Sequence, residues 1–167
     1  MRILIIVPYY PPYSRNGTEL LTEALANQLK KKNKVTVITT GPRNTKTVGK
    51  NLTVYRLRTY GKSWPLRVLQ QIIFFFNKAM KLEKQDIIVA HMMTSAGVVA
   101  PIIGKLRKTP VVSRLTGFEM RMNPLYKSLI LKPILKNSQA IITINSDMQK
   151  EIEKFIGKKV EVIPHGI

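Results

Sequence analysis

Polar residues and glycines that could take part in chemistry follow apolar runs at several points of the sequence. They are Asn16, Gly17, His91, Thr116, Gly117, Glu119 and Ser146. If the apolar runs are parallel strands, the residues just after them meet at the carboxyl edge of one sheet, where open α/β sheets bind their ligands. We therefore predict one binding site built from these loops.

The loop from Pro8 to Thr18 predicts a helix start that can bind an anion. It ends in Asn16-Gly17, just before a helical apolar pattern. Free backbone N–H groups and the helix dipole favour phosphate at such a place, and glycine lets a ligand approach the backbone closely. The alternative is a capped helix after a proline turn, with Asn16 and Glu19 forming a capping box. G-x-G-x-x-G and the P-loop lysine are absent from the sequence, which argues against the usual dinucleotide and nucleoside triphosphate sites.

The other candidate residues allow more than one role. His91, which follows the fourth predicted strand, is either a structural hydrogen-bonding residue or a catalytic one. Glu119 could bind a hydroxyl or act as a general base, and it could equally cap a helix or pair with Arg114 or Arg121. Thr116 and Gly117 would lie in the same layer. Capping of the next helix is the favoured role of Ser146.

Hydrophobic patterning predicts the elements that position these residues. The predicted strands are Arg2–Val7, Val35–Thr39, Thr53–Leu57, Asp86–Ala90, Pro110–Leu115, Ala140–Ile144 and Val160–Ile163. The predicted helices start near Asn16, Ser63, Thr94, Asn123 and Ser146, the fourth with a kink at Pro133. The segment Gly41–Asn51 is predicted to be a polar loop. The apolar faces expected to pack inward are Leu20, Leu21, Ala24, Leu25 and Leu29 in the first helix, and Leu66, Leu69, Ile72, Ile73, Phe76 and Met80 in the second.

Strands that alternate with helices predict a doubly wound α/β fold. We expect a mostly parallel sheet of about seven strands with helices on both faces, and a single Rossmann-like domain over residues 1–167. The length is sufficient for one domain with its own core. No run of apolar residues is long enough to predict a membrane-spanning helix, and the N-terminus does not resemble a signal peptide.

Composition limits the chemistry and suggests the partners. The sequence has no cysteine, which excludes disulfides, thiolate nucleophiles and Cys-type zinc sites, and no metal cluster or catalytic triad stands out. The formal net charge of +19 favours polyanions such as nucleic acid, anionic lipid headgroups or phosphorylated ligands, unless it is only a solvated basic surface. A nucleic-acid-binding domain is disfavoured, because no helix-turn-helix, RRM or zinc pattern occurs.

The segment from Arg121 to Lys136 mixes basic and apolar residues. Seven leucine, isoleucine and tyrosine residues alternate there with four cations. The cations are the predicted membrane contacts Arg121, Lys127, Lys132 and Lys136. This composition is typical of a helix that lies in a membrane interface. A helix that packs on the core and has a basic outer edge is the alternative.

Five segments in order resemble the N-terminal domain of retaining glycosyltransferases with the GT-B architecture, in glycosyltransferase family 4. The segments are PYYPPYSRNGTE, DIIVAHMMTSAG, PVVSRLTGFE, AIITINSDMQKEI and VEVIPHGI. They are similar to the family's Gly-Gly-x-Glu start, its Asp-hydrophobic-x-x-His segment, its His-Gly-x-Asp/Glu segment, its strand-then-Ser segment and its interdomain crossing. The resemblance covers nearly the whole chain.

The resemblance implies transfer of a sugar from a nucleotide diphosphate sugar to an acceptor hydroxyl, with retention and without a metal or other cofactor in this chain. It implies that this chain is the acceptor-side half, inactive alone, and that a C-terminal domain absent here holds most of the donor. The acceptor would be a sugar or a lipid-linked molecule, at the cytoplasmic face of an anionic membrane. Asn16, Gly17, His91, Thr116, Gly117, Glu119 and Ser146 would bind acceptor or sugar.

Three positions depart from the family pattern. Asn16 replaces the first glycine of the pair, which makes that backbone less permissive. Thr116 replaces the histidine that lies beside the donor sugar in relatives, which leaves sugar choice and activity open. His165 replaces the asparagine of the crossing. A non-catalytic sugar- or partner-binding module of the same fold therefore stays open, whereas an epimerase is disfavoured by the missing glycine fingerprint.

Overall fold

One eight-stranded sheet organises the chain. The computed structural model describes residues 1–61 and 63–164. The strand order is β3-β4-β2-β1-β5-β6-β7-β8, and every pair is parallel except the antiparallel pair of β3 and β4. The predicted doubly wound, mostly parallel sheet is therefore confirmed. His165, Gly166 and Ile167 of the expected crossing segment lie outside the described residues.

The strands agree with the apolar runs of the sequence. They are β1 (Arg2–Ile6), β2 (Lys34–Gly41), β3 (Thr45–Gly49), β4 (Leu52–Arg58), β5 (Ile87–His91), β6 (Val111–Arg114), β7 (Ala140–Thr143) and β8 (Glu161–Val162). β1 is buried from its second residue onward, as expected of a central strand covered on both faces.

Helices cover both faces of the sheet. They are α1 (Gly17–Leu29), α2 (Trp64–Met80), α3 (Ser95–Arg107), α4 (Pro124–Tyr126), α5 (Lys132–Lys136) and α6 (Ser146–Ile156). A 3₁₀ turn covers Glu119–Arg121, and a π turn, Lys127–Leu131, joins α4 to α5. Ala26 of α1 packs in one core cluster. The buried residues of α2, α3, α5 and α6 form the other, on the opposite face of the sheet.

The eighth strand corrects the sequence prediction. Residues 45–49 lie in the segment predicted to be a polar loop, but they form β3 and pair with β4 at the edge of the sheet. All five residues of β3 are exposed, so no burial pattern could reveal the strand. Lys46 within it is typical of the charged residues that protect a sheet edge from further pairing.

The predicted inward face of α1 is wrong in part, since Leu29 packs against the core but other residues of that face do not. The helix buries Glu19, Thr22 and Ala26, whereas Leu20 is exposed. Glu19 and Thr22 face inward because their side chains meet the loop before α1 and the end of β5. Polar contacts at the carboxyl edge thus hold the first turns of α1, whereas Ala26 and Leu29 pack against the core further along the helix.

The predicted face of α2 is also wrong in part. The residues that pack inward are Gln71, Phe75 and Ala79. Three residues of the predicted face, Leu66, Leu69 and Ile73, are about half exposed. Where the sequence predicts a kink at Pro133, the structure has a π turn that ends two residues earlier. Proline has no backbone N–H group, so the regular hydrogen-bond pattern of a helix changes beside it.

Candidate functional site

The loop after β1 is held firmly by the neighbouring strands. The Pro8 carbonyl accepts hydrogen bonds from the backbone N–H and the hydroxyl of Thr40 at the end of β2. The Pro11 carbonyl accepts from Arg56 Nη2 at 2.7 Å, and Arg56 Nη1 donates to Thr47 of β3. The buried β4 guanidinium therefore fixes the proline turn that leads to α1. The Pro11–Pro12 peptide bond is cis.

The start of α1 leaves its backbone open. Asn16 is the N-cap residue, as predicted, but its side chain accepts no hydrogen bond from the helix. Instead its amide donates to the Glu19 carboxylate at 3.3 Å, which also accepts from the Ser14 hydroxyl at 2.8 Å. The predicted capping box is therefore replaced by contacts between side chains. The first N–H groups of a helix have no acceptor within the helix, and the Asn16 side chain does not supply one.

Asn16 and Gly17 fit this backbone without strain. Asn16 has φ −76°, an extended conformation open to any residue, so the replacement of the family's first glycine is accommodated. Gly17 is exposed, and a Cβ built on it would have no heavy atom within 4 Å. Space above Gly17 is thus available to a ligand that approaches the positive end of the α1 dipole.

Glu119 connects two loops at the carboxyl edge. Its carboxylate is buried, with the residue only 1% exposed. One oxygen accepts from the Met93 backbone N–H at 3.0 Å, and the other from those of Thr116 and Gly117, both at 3.1 Å. Hydrogen bonds from backbone donors to an ionised carboxylate are strong. Of the roles considered from the sequence, the contacts match capping of backbone donors rather than general-base catalysis.

Two residues with left-handed backbone lie in these loops. Met92 has φ +66° and Gly117 has φ +98°. A Cβ on Gly117 would lie 3.4 Å from Met148 Sδ in the first turn of α6. The loop after β6 therefore contacts α6, and Gly117 is favoured there because its backbone is left-handed.

His91 lies beneath the loops. It has no exposed surface, and its Nδ1 contacts the Thr22 hydroxyl of α1. That hydroxyl also donates to the Thr18 carbonyl at 2.8 Å. Because a hydroxyl has one proton, this arrangement assigns Nδ1 as the donor to Thr22. His91 thus joins β5 to α1, and the contacts match its structural alternative.

The end of β7 corrects the role predicted for Ser146. The N-cap of α6 is Asn145, whose side chain accepts from the Met148 backbone N–H at 2.8 Å. Ser146 is the first residue of the helix and is exposed. Its hydroxyl is therefore available to a ligand at the carboxyl edge. Thr116, which is half-buried, lies at the corresponding end of β6.

Exposed aromatic residues on the same loops were missed by the sequence reasoning. Tyr13 is 60% exposed on the first loop, and Phe118 is 52% exposed beside Gly117. Aromatic rings and a few placed polar groups are typical of small-molecule sites. Their signal in the sequence is an aromatic residue inside a turn-rich or glycine-containing loop after a strand.

The four predicted membrane contacts differ in their surroundings. Lys127 Nζ donates to the Met120 carbonyl at 2.9 Å, and Lys132 Nζ lies 5.3 Å from the centre of the Phe155 ring. Arg121 and Lys136 are exposed. Two of the four cations therefore make contacts inside the molecule. Among the described residues, no group of three or more metal-ligating side chains occurs, and no helix is long and apolar enough to cross a membrane.

The fold and these loops define the class of protein. A mostly parallel sheet with this strand order and with helices on both faces is a Rossmann-like α/β domain. The family model described as Glycosyltransferase Family 4 matches residues 15–167. The chain belongs to that family, and its fold is that of a GT-B N-terminal domain. A search of curated proteins found no match.

Proposed function

We propose that this domain forms the acceptor side of an enzyme that transfers a sugar from a nucleotide diphosphate sugar to an acceptor hydroxyl, with retention. The observation that carries the proposal is the open backbone at Gly17, on loops that other residues hold in place. Membership of the family supports it. A second domain, outside this chain, would supply most of the nucleotide site and the cations for the diphosphate.

The chemistry follows from where charge develops. As the bond from the sugar to the diphosphate breaks, negative charge grows on the leaving oxygen, and backbone N–H donors that are already oriented stabilise it. The N–H groups at Gly17 and Thr18, at the positive end of α1, are suited to this task. The hydroxyls of Thr116 and Ser146 would bind sugar or acceptor hydroxyls, and Phe118 would pack against a sugar ring.

Glu119 and His91 act indirectly in this proposal. The Glu119 carboxylate orients the N–H groups of the loops after β5 and β6. His91 holds α1 against β5 through Thr22. Both would position the site without touching the substrate, so loss of either would affect folding together with transfer.

The test measures nucleoside diphosphate release from a set of nucleotide sugars, with and without candidate acceptors. It uses the protein that carries this chain. Release that depends on the acceptor, together with an unchanged anomeric configuration in the product, supports the proposal. Ser146→Ala should weaken acceptor use while folding stays intact, with exposed Ser128→Ala in the π turn as the matched control. A product with inverted anomeric configuration, or no release of nucleoside diphosphate from any donor, contradicts the proposal.

A non-catalytic sugar-binding module is the second candidate. Thr116 in place of the family's histidine favours it, because a hydroxyl can bind a sugar but cannot supply an imidazole beside the donor. The two candidates differ in one measurement. A binding module would bind sugars by calorimetry while releasing no nucleoside diphosphate.

A further inference from the structure

The outward surface of three neighbouring helical segments is apolar. The large apolar residues exposed there are Leu66, Leu69 and Ile73 of α2, Ile102 and Leu106 of α3, and Leu125 and Leu129 of α4 and the π turn. Each is between 46% and 67% exposed. We call these residues the outer helix face. Large exposed apolar patches commonly mark interaction surfaces.

The helical segments that carry these side chains lie on one face of the sheet. The inner sides of α2, α3 and α5 pack in one core cluster on one face of the sheet. α2 packs beside α3, and α3 beside α5. Within α2, the spacing of Leu66, Leu69 and Ile73 by three and four residues forms a single stripe, opposite the buried Phe75. The outer helix face therefore lies on helical segments that pack side by side.

The segments α2 to α5 carry almost only positive charge, whereas α6 on the same face of the sheet also carries the acids Asp147, Glu151 and Glu153. Between Ser63 and Ala140 the only acids are Glu83, Asp86 and Glu119. Glu119 is buried, Glu83 pairs with Arg2 at 2.9 Å, and Asp86 accepts from the Arg2 backbone N–H. None of the three lies in α2–α5. The exposed cations on or beside those helices include Arg67, Lys105, Arg121 and Lys136.

We propose that the outer helix face docks on the surface of an anionic lipid bilayer. A bilayer interface accepts apolar side chains and attracts cations at the same time. A second copy of the chain would place cations against cations in a two-fold contact, and nucleic acid offers no apolar layer for the leucines. Tyr60 and Trp64, both exposed where α2 begins, have the amphipathic rings that favour membrane interfaces.

Docking on a membrane would specify the acceptor of the proposed transferase, and its biological role rests on that proposed function. α2 begins at the carboxyl end of the sheet, so a docked membrane would lie beside the loops that form the candidate site. The acceptor class would then be lipid-linked. Membrane binding itself requires no sugar transfer, so its failure and the failure of the transferase proposal are separate results.

Trp64 reports on the environment of the start of α2, beside the outer helix face. It is the only tryptophan of the sequence and is 50% exposed at the start of α2. The chain is mixed with vesicles of phosphatidylglycerol and phosphatidylcholine, or of phosphatidylcholine alone, and both flotation and tryptophan emission are measured. We expect binding to the anionic vesicles, weakening as salt is raised, and a blue shift of the emission as the indole leaves water.

The decisive variant is Leu69→Gln/Ile73→Gln, which changes exposed side chains only. It should lower the partition coefficient for anionic vesicles by about tenfold or more, because apolar area no longer enters the interface. Its matched control is Leu20→Gln/Val48→Gln, on α1 and β3, where the same chemical change affects exposed residues outside the outer helix face. The control should bind as the unchanged chain does.

Three results would overturn the proposal. One is equal flotation of the two double variants. Another is equal binding to the anionic and the neutral vesicles, which would remove the contribution of the cations. The third is loss of self-association in the Leu69→Gln/Ile73→Gln variant, measured by sedimentation, with vesicle binding unchanged, which would assign the outer helix face to a second copy.

Discussion

Gly17 allows a test that separates ligand binding from folding. A Cβ at Gly17 would meet no heavy atom within 4 Å, and the φ of this residue lies outside the left-handed region. Gly17→Ala should therefore leave the fold intact, with a gain of 0 to about 1 kcal/mol in the free energy of unfolding, because alanine restricts the unfolded chain. The added methyl group would instead occupy the space through which an anion approaches the backbone.

The expected loss of function follows from the donors that become blocked. Removal of one oriented donor to a developing oxyanion costs about 100- to 1,000-fold in turnover. We expect Gly17→Val to lower kcat/KM by about a hundredfold, and Gly17→Ala by about tenfold because its methyl group is smaller. The assay is acceptor-dependent release of nucleoside diphosphate, with thermal unfolding measured on the same samples.

Gly157→Ala is a control in which stability should fall while sugar transfer stays unchanged. Gly157 also has open space around its Cβ position, but its φ is +67° and it ends α6 as a left-handed cap. Gly157→Ala should cost about 1–2 kcal/mol and lower Tm by roughly 2–8 °C, with transfer unchanged. Full activity in Gly17→Val at a native Tm would refute the role of the loop. A lowered Tm in Gly17→Ala would refute the claim that the position is open.

Three further predictions concern buried polar groups. Glu119→Gln should lower the free energy of unfolding by about 3 kcal/mol, because the amide cannot accept from all the backbone donors that the carboxylate binds. The control, Glu151→Gln at an exposed position, should change it by less than about 0.5 kcal/mol. Equal denaturation midpoints of the two variants would contradict this prediction. Burial raises the pKa of Tyr10 and of Tyr126 to about 12, so their contribution to stability is present below pH 10 and is lost as the pH rises from 10 to 12. Phenylalanine at either position should flatten that loss in pH-dependent unfolding, and an unchanged slope would contradict it. Arg56→Met should cost about 2 kcal/mol in urea unfolding, because a buried proline carbonyl loses its charged donor, and an unaltered midpoint would show that the guanidinium does not hold the first loop.

The central strands could be predicted from the sequence because their chemistry is unambiguous. A continuous apolar run such as that in β1 is buried on both faces and has few alternatives. β3 could not be predicted, since an edge strand with every residue exposed has no alternation of burial. Its pairing depends on β4, and Arg56 reaches across to Thr47, a contact that local patterns do not contain.

The candidate site could be located from the sequence but its contacts could not. The positions of Gly17, Thr116 and Ser146 follow from strand ends, which patterns predict. The Glu119 carboxylate, however, binds the backbone of Met93, which is 26 residues away in the chain. A backbone donor has no signature in the residue that supplies it. The sequence therefore left the role of Glu119 open among several alternatives, and only the folded chain distinguishes between them.

The exposure of the apolar stripe of α2 also depends on a contact between residues that are distant in the sequence. The helix is apolar on two sides, so hydrophobic spacing alone cannot say which side faces the core. Gln71 decides the rotation, because its amide oxygen accepts a hydrogen bond from the buried Ser95 hydroxyl at 2.7 Å. Rotation of α2 to bury Leu69 and Ile73 would break this bond and leave the buried Ser95 hydroxyl without it. One polar contact between α2 and α3 thus keeps an apolar stripe on the surface, and that stripe is the part of the molecule that we expect to meet a membrane.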